Sequence, residues 1–347
     1  MINPISIRLL SQQLCAPLFS KPEDVVSHFG AMQAQEYRLM RWAVEMRTRR
    51  PSERAFTKAY NEGKILRLHL LRGTWQLISA EDYPWMHRMF AAKARQVIGG
   101  WMSSNGISLP EEEISQIRKI ITEATRKARS ITKEGLVKAL ADEGISMNDH
   151  RLSYHIRFAE LDGVLCSGDL LPMKATYSLA SEKIKPQAGI SADEALARLT
   201  RKYFQSHQPA TLEDFAWWSG LGLNDCRKGI RMLGDSIHIE RIKGREFYLL
   251  DGARTRGFRK GASLLIPSYD EYLIGYKSRD LVLDPRYRHL AHNNSGIFQP
   301  VIARDGIICG NWKPFADTPD FSYFAEGHDN DRTGEAWSNY KKYSNLI

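Results

Sequence analysis

The fold of this chain is indicated by the stretch Thr211-Leu212-Glu213-Asp214-Phe215, where a threonine precedes apolar and acidic residues. The threonine hydroxyl can cap the free amides of a helix that begins there, and the acids suit the positive end of the helix dipole. The same pattern occurs earlier, at Thr132-Lys133-Glu134-Gly135-Leu136. Two matching helix starts indicate an internal repeat.

The residues around these two starts extend the repeat. An amphipathic helix is predicted before each of them, over residues 112–126 and 192–204. A third helix follows each, with a cap-like signal at Met147-Asn148-Asp149 and at Leu223-Asn224-Asp225. Each repeat ends in two short strands, predicted over 163–166 with 176–179, and over 237–240 with 246–249.

Three helices followed by a hairpin are typical of a winged helix. The N-terminal part fits the pattern a third time, with helices over 6–14, 22–32 and 52–61 and strands over 65–70 and 74–78. From about residue 262 the pattern becomes β-rich, with a last helix over 335–346. We therefore predict an α+β, predominantly helical fold of three tandem winged-helix units (1–105, 106–188, 189–258) and a small β-barrel-like C-terminal domain (259–347). The alternative is a helical protein with hairpins that is not built of winged helices.

The composition indicates a folded, basic protein. Its 347 residues are 43% hydrophobic and 26% charged, enough for a sizeable core. The formal net charge is +9 and the pI about 9.3, which favours a polyanionic partner such as nucleic acid. Basic residues concentrate in two stretches, 38–50 and 241–260.

Other sequence features narrow the class of protein. No apolar run approaches the length of a membrane span and no targeting signal opens the chain, so a cytoplasmic, nucleoid-associated protein without membrane contact is expected. The four cysteines are scattered, which predicts neither disulfides nor a zinc site. His289 and His292 lack further ligands nearby, so we expect no metal and no other cofactor.

Several motifs resemble one family, the winged-helix DNA-binding proteins that include the AlkZ and YcaQ glycosylases. These motifs occur in the same order as in the family and span nearly the whole chain. They are Met32-Gln33-Ala34-Gln35, the hairpin 69–75, the run 210–221, the run 264–276, and 296–301 with Asp305-Gly306 and Gly310-Asn311-Trp312.

The resemblance implies tandem winged helices closed by a small β-barrel, and monofunctional excision of alkylated bases, including bulky N7-guanine adducts and interstrand crosslinks. The family's catalytic motif is glutamine, an aliphatic residue, then glutamine or aspartate, which Gln33-Ala34-Gln35 resembles. Its central alanine is smaller than the branched residue expected there. Asp270, Glu271 and Tyr276 also match family positions, and the sequence leaves open whether they only join the C-terminal domain to the winged helices.

Gln33 and Gln35 can cooperate only if the preceding helix has ended. Side chains two positions apart diverge on a helix but project from the same side of extended backbone. Gly30 is a suitable place for the helix to end. Without the resemblance, both would be interpreted as solvated surface glutamines.

A neutral carboxamide cannot act as a general base, so the leaving group must already be activated. A cationic N7- or N3-alkylated purine meets this condition because it departs without protonation. We expect one glutamine to orient the attacking water and the other to place its dipole against the developing positive charge. The predicted product is an abasic site without strand cleavage.

DNA contacts are predicted for two hairpins and one arginine near the motif. His69, Arg72 and Thr74 lie in the first hairpin, where Trp75 is more consistent with core packing. Arg241, Lys243 and Arg245 surround the tight turn at Gly244. These residues and Arg38 would bind double-stranded DNA containing alkylated bases. The Trp217-Trp218 pair is expected to fill the core of the third unit.

Two other classes of function compete with a monomeric glycosylase. A winged-helix transcription regulator would read DNA without catalysis, usually as a dimer on spaced half-sites, whereas three units in one chain already form an extended surface. An interaction module on the same scaffold would make the basic stretches incidental. The sequence decides neither the preferred lesion nor whether the base is flipped.

Overall fold

A computed structural model describes residues 3–326 and 331–344, without the side chain of Asp331. The chain divides into two compact units, one formed by residues 1–56 and 196–347 and the other by residues 57–195. Helices account for about 48% of the residues and strands for about 17%. The prediction of an α+β, predominantly helical fold is confirmed.

The N-terminal segment supplies four helices and one short strand. They are α1 (Pro4–Ser11), α2 (Pro22–Phe29), β1 (Ala31–Gln33), α3 (Met40–Glu45) and α4 (Glu53–Asn61). Helix α2 ends before the predicted residue 32, because Gly30 adopts a left-handed φ of 79°. Neither β1 nor α3 was predicted from the sequence.

The unit of residues 57–195 begins with the predicted hairpin, β2 (Ile65–His69) and β3 (Trp75–Ser79), in which His69 pairs with Trp75. The 22-residue helix α5 (Tyr83–Ser104) was not predicted. The elements of the predicted second winged helix follow in order. They are α6 (Glu111–Ala128), β4 (Ile131–Thr132), α7 (Lys133–Asp142), α8 (Asp149–Leu161), β5 (Leu165–Ser167), β6 (Thr176–Leu179) and α9 (Ala180–Lys183).

Local sequence signals explain how these helices begin. The Thr132 side chain accepts from the backbone N–H of Gly135, and the Asn148 side chain accepts from that of Arg151. Strand β6 pairs antiparallel with both β4 and β5. Buried aliphatic side chains of the helices and the hairpin form the core, including Ile117, Ile121, Leu136, Leu140, Leu152 and Leu165.

The third helix–hairpin succession is α10 (Ala192–His207), α11 (Leu212–Ser219), α12 (Leu223–Met232), β7 (Ile237–Ile242) and β8 (Arg245–Leu250). Thr211 and Asp214 form a reciprocal capping box at the start of α11, as the sequence indicated. The cap expected at Asn224 is wrong, because the N-cap of α12 is Gly222, two residues earlier, and the helix begins at Leu223. Assigning the three successions to winged helices, with boundaries at 105, 188 and 258, stays a prediction.

The C-terminal segment contains β9 (Ser263–Ile266), α13 (Glu271–Ile274), α14 (Arg288–Ala291), β10 (Val301–Arg304), β11 (Ile307–Trp312), β12 (Phe321–Tyr323) and α15 (Asp331–Ser344). Its strands form an antiparallel sheet in the order β12-β11-β10-β9. Since β9 and β12 are edges of this sheet within the described residues, the predicted closed barrel is wrong. The last two residues of the predicted helix 335–346 lie outside the described residues.

Two apolar clusters hold the unit of residues 1–56 and 196–347 together. The first packs Leu9 of α1 against α13 and the C-terminal sheet, through side chains such as Tyr272 and Val301. The second is aromatic and joins Trp42 of α3 to Trp312 and Trp337. The four cysteines are free. The helices that flank the motif residues Gln33 to Gln35 are also packed, since α2 buries Val25, Val26 and Phe29 and every residue of α3 is buried.

Candidate active site

The Gln33-Ala34-Gln35 motif begins in extended backbone directly after a helix. The backbone N–H of Gly30 closes α2 by donating to the carbonyl oxygens of Val26 (3.0 Å) and Ser27 (3.2 Å). A Cβ at Gly30 would lie 3.1 Å from Cδ of Lys202 and would require an unfavourable positive φ. The predicted end of the helix near Gly30 is thus confirmed, and Gln33 is the last residue of β1.

The two glutamines have different environments. Gln33 is 6% exposed and Ala34 is 1% exposed, whereas Gln35 is exposed. The small central residue is therefore enclosed, and the second glutamine is the more accessible of the pair. This difference suits unequal roles for the two side chains.

A buried carboxylate lies behind the motif. Glu271, the first residue of α13, is 2% exposed. Its Oε1 accepts from the backbone N–H of Gln33 at 2.6 Å, and its Oε2 accepts from the indole N–H of Trp218 at 3.1 Å. Nε2 of His207 lies 3.1 Å from the same Oε2. Glu271 thus joins residues of β1, α10 and α11.

His207 is the histidine of this group and is fully buried. Its side chain is inaccessible to solvent, and this burial lowers its pKa despite the opposing influence of Glu271. Its ring stacks on Tyr203, with ring centroids 4.6 Å apart, and contacts Phe29 edge-on at 5.4 Å. Because Nε2 faces the Glu271 carboxylate, which can only accept when ionised, we assign a proton to Nε2; Nδ1 lies 2.8 Å from Oγ of Ser206 and 3.3 Å from the carbonyl oxygen of Tyr203.

A second buried carboxylate, that of Asp270, holds the chain on the other side of the motif. Asp270 forms a two-point ion pair with Arg47, which follows α3. The Arg47 guanidinium also donates to the backbone oxygens of Gln12 and Ala43. The consecutive residues Asp270 and Glu271 therefore hold the chain at two points. Glu271 binds Gln33 in the motif, and Asp270 binds Arg47 after it.

The sequence located only part of this group. It matched Asp270 and Glu271 to family positions but left them as possible connectors, and it gave no signal for His207 or Arg47. Trp218 is buried, as expected for core packing. The same expectation is wrong for Trp217, which is 41% exposed and donates its indole N–H to the carbonyl oxygen of Ile274 at 2.9 Å.

Arg38 follows the motif at the protein surface. Its guanidinium lies 3.5 Å from the ring centroid of Phe315 and 3.6 Å from the Glu36 carboxylate. The side chain is about one-third exposed. It is therefore oriented by an aromatic ring and an acid while remaining accessible.

In the other unit, the hairpin predicted to contact DNA has a buried side chain, His69. It is 2% exposed, and its Nδ1 lies 2.6 Å from Oε2 of the buried Glu160. Burial is the main cause of its lowered pKa. The ring centroids of Trp75 and His69 are 3.7 Å apart, and the Arg67 guanidinium lies over the Trp75 ring. His69 and Trp75 therefore belong to the interior face of the hairpin. The DNA contact predicted for His69 stays a prediction, and the structure places its side chain in the interior.

Arg72 and Thr74 lie at the tip of the same hairpin and are half-buried. Arg72 adopts a positive φ of 56° within a short 3-10 turn. The Thr74 hydroxyl donates to the carbonyl oxygen of Leu71 and accepts from the side-chain amide of Gln76. These contacts give the tip a defined conformation.

The third-unit hairpin presents its three basic residues to solvent. Arg241, Lys243 and Arg245 are all exposed. Lys243 and Gly244 form a two-residue turn with φ values of 51° and 76°, which matches the twist of the strands. Arg241 pairs with Glu246 at 3.0 Å, and Arg245 donates to the Ser278 hydroxyl at 3.0 Å.

Arg245 also lines an open cleft of about 790 Å³ in its own unit. Other cationic residues of the lining are Lys277, Arg279 and Arg288. Asp280 pairs with Arg288 at 2.9 Å within the cleft. The basic turn is therefore continuous with a polar groove and not an isolated surface feature.

The described part of the chain contains no group of three or more histidine, cysteine, aspartate or glutamate residues that could hold a metal ion. Within the same residues, no helix is long and apolar enough to cross a membrane.

Comparisons with known proteins show what the whole chain is similar to. A family model described as DNA glycosylase AlkZ-like matches residues 26–319, a span that includes the motif, His207 and Glu271. The chain is 23% identical over 323 residues to the interstrand DNA cross-link repair glycosylase of Streptomyces sahachiroi, with 85% of each protein covered. The solved structure of Streptomyces sahachiroi DNA glycosylase AlkZ is similar with a TM-score of 0.77 at 19% identity, over 99% of this chain and 96% of that one.

Proposed function

The chain belongs to the AlkZ-like family of DNA glycosylases, and from this premise we propose that it excises cationic alkylated purines, of the N7-alkylguanine type, from double-stranded DNA. It is an enzyme that acts on DNA. The main supporting observation is that the motif Gln33-Ala34-Gln35 lies outside any helix. The backbone N–H of Gln33 donates to the buried Glu271, and Gln35 is exposed.

The chemistry of two amides limits the substrate. Water attacks C1′ of the sugar while the bond from C1′ to the base nitrogen breaks, and the electron pair of that bond neutralises the cationic base. The water proton passes to solvent, because a carboxamide cannot take it. In this mechanism the Gln35 oxygen accepts from the attacking water and the Gln33 dipole faces the cationic sugar. Uncharged bases would lack the required leaving ability.

The lesion range includes bulky adducts and interstrand crosslinks. This part of the proposal is supported by the similarity to the Streptomyces relative, which is an interstrand DNA cross-link repair glycosylase. Hydrolysis at one end of a crosslink joined through guanine N7 would release that strand by the same chemistry. No second active site is required.

DNA is held by the exposed basic residues. Arg38, Arg241, Lys243 and Arg245 are accessible, while Arg72 and Thr74 lie half-buried at a hairpin tip. We assign to them contacts with phosphate, which position the duplex without reading its sequence. His69 acts indirectly in this proposal, by packing against Trp75 beneath the tip.

The test uses a duplex with a single N7-methylguanine, followed by alkali to reveal abasic sites. Wild-type protein is expected to produce cleavable sites, and Gln35→Ala and Gln33→Ala to lose at least about a hundredfold in rate. Gln116→Ala, an exposed glutamine on α6, is the matched control. Sequence-specific binding of intact DNA without excision would overturn the proposal in favour of a regulator, and efficient borohydride trapping would exclude the monofunctional mechanism.

The crosslink component has its own test. A duplex crosslinked by a nitrogen mustard through two guanine N7 atoms is incubated with the protein, and the strands are separated on a denaturing gel. Release of single strands is expected for wild type and not for Gln35→Ala. Excision of the monoadduct without strand release would limit the activity to small lesions.

A further inference from the structure

Glu271 is a buried charged residue that the glutamine chemistry does not use. The backbone N–H of Gln33 and the indole N–H of Trp218 can donate but cannot accept, and each contacts a different carboxylate oxygen. With Nε2 of His207 as a third donor, the surroundings are those of an ionised carboxylate. The group around Glu271 is therefore built to hold a negative charge in the interior.

Such a charge is costly for stability alone. Taking a carboxylate out of water carries a large penalty, and apolar residues of similar volume commonly stabilise a protein as well or better. Here the surroundings are Tyr203, Phe29 and the rings of His207 and Trp218. A purely structural link between β1 and α13 would not require the charge, which points to a second role.

The three buried arginines of this unit are Arg8, Arg41 and Arg47, and each has partners other than Glu271; Arg41 lies 3.7 Å from the Glu53 carboxylate. Arg47 forms its ion pair with Asp270. Arg8 lies 3.6 Å over the Tyr276 ring and donates to the carbonyl oxygen of Pro209 at 2.9 Å. Burial lowers the pKa of His207, whose Nε2 lies 3.1 Å from Oε2 of Glu271. The charge of Glu271 is therefore stabilised by hydrogen bonds, and no arginine pairs with it in the described contacts.

The proposed reaction creates a need for a negative charge at this place. Its sugar becomes cationic as the base departs, yet both motif side chains are neutral amides. A fixed charge in a water-excluded environment acts over several ångströms at little reorganisation cost. The Gln33 peptide, hydrogen-bonded to Glu271, lies between this charge and the motif side chains.

We propose that Glu271 is a positioning residue for the glycosylase reaction, which fixes Gln33 through its peptide N–H and supplies the negative field that favours the cationic sugar. This inference rests on the proposed function. It assigns the electrostatic part of catalysis to a residue 238 positions away from Gln33 in the chain.

The test compares two abasic-site analogues in otherwise identical duplexes. A pyrrolidine analogue carries a positive charge where the sugar becomes cationic, and a tetrahydrofuran analogue is neutral. Wild-type protein is expected to bind the pyrrolidine duplex more tightly. In Glu271→Gln, which keeps the shape of the side chain, this preference and the excision rate should both fall by about tenfold to a hundredfold, with affinity for the tetrahydrofuran duplex retained.

Glu271→Asp is the charge-conserving companion. It should keep the preference for the cationic analogue while losing rate through displacement of Gln33. If Glu271→Gln does not fold, as judged by its melting curve, Trp218→Phe replaces it. That variant removes the indole N–H that donates to Glu271 and leaves the carboxylate charge in place. The preference for the pyrrolidine duplex should therefore be kept or increased, whereas a purely structural role of Glu271 predicts that it falls.

Two results would overturn the inference. One is an equal loss of affinity for both analogues in Glu271→Gln, which would assign Glu271 to structure alone. The other is an unchanged preference in that variant. This test is independent of the proposed substrate. If wild-type protein does not excise N7-methylguanine, the proposed substrate is wrong. If it still binds the pyrrolidine duplex more tightly, and this preference depends on Glu271, the role of Glu271 is supported.

Discussion

Arg47 and Asp270 form a two-point ion pair in the interior, with Nη1 to Oδ2 2.8 Å and Nη2 to Oδ1 2.7 Å. Their side chains are 0% and 1% exposed. The pair joins the end of α3 to the residue before Glu271. Its geometry therefore couples the stability of this unit to the position of the motif.

Removing one member of this pair should be strongly destabilising. Asp270→Asn leaves the Arg47 guanidinium buried without a counter-charge, which costs about 3–5 kcal/mol of unfolding free energy in urea titrations. The double variant Arg47→Met with Asp270→Leu should recover most of that loss, because no charge is left unpaired. Asp284→Asn, which breaks an exposed pair with Arg286, is the control and should leave stability unchanged. A double variant no more stable than Asp270→Asn would contradict this account.

Gly30→Ala should destabilise the protein and reduce excision. Its φ of 79° disfavours a side chain, and the added Cβ would lie close to Lys202. We expect a loss of about 1–3 kcal/mol together with a slower reaction, since the residue sets where β1 begins.

The matched control for this substitution is Gly100→Ala, in the middle of α5 with nothing within 4 Å of the added Cβ. It should stabilise the protein by about 0.5–1 kcal/mol and leave excision unchanged. Thermal melting and the abasic-site assay measure both properties. Equal effects of the two substitutions would show that backbone conformation at Gly30 is not the cause.

Glu45 should make stability fall as pH rises. Burial raises the pKa of this carboxyl from 4.5 to about 7. Its Oε2 accepts from the backbone N–H of Ser52 at 2.7 Å, while its buried Oε1 has no partner among the described residues. The folded state therefore binds a proton more tightly than the unfolded state, so the group's contribution is greatest below pH 4.5 and is lost as pH rises towards 7.

Glu45→Gln removes this titration and keeps an oxygen for Ser52. Relative to the variant, wild type should lose up to about 3 kcal/mol of unfolding free energy between pH 4.5 and 7. Urea titrations of both proteins across this range measure the difference. A difference that does not vary with pH would mean that Glu45 has an ordinary pKa.

The basic turn of the third-unit hairpin should contribute to the salt dependence of DNA binding. Lys243→Asn removes an exposed charge and tolerates the positive φ of this position. If Lys243 contacts one phosphate, the slope of log affinity against log salt should become shallower by about 1, equally for damaged and undamaged duplexes. Lys127→Gln, an exposed lysine on α6, should leave the slope unchanged. The same change in both variants would argue against a contact at the turn.

The local parts of the fold were predictable because they depend on neighbouring residues. Thr132 and Thr211 cap helices by contacts to residues three positions later. The turn at Lys243-Gly244 follows from the glycine between two strand-like runs. The helix break at Gly30 is equally local. Patterns of this kind appear directly in the order of the amino acids.

The closed barrel was mispredicted because closure depends on pairing between strands far apart in the chain. The strand-like runs from Ser263 to Tyr323 were recognisable, but nothing local specifies whether β9 meets β12. The burial of His69 could not be predicted for a related reason. Its buried partner, Glu160, lies 91 residues away in the chain.

The sequence by itself determined the succession of helices and hairpins, the basic character and, through its motifs, the family and the two glutamines. The tertiary structure alone decided that Gln33 is buried, that Gln35 is accessible, and that Glu271 and His207 lie behind them. Helix caps and turns arise from contacts between near neighbours, but a buried carboxylate can be stabilised only by donors that folding brings together. The electrostatics of the site are therefore a property of the packed unit.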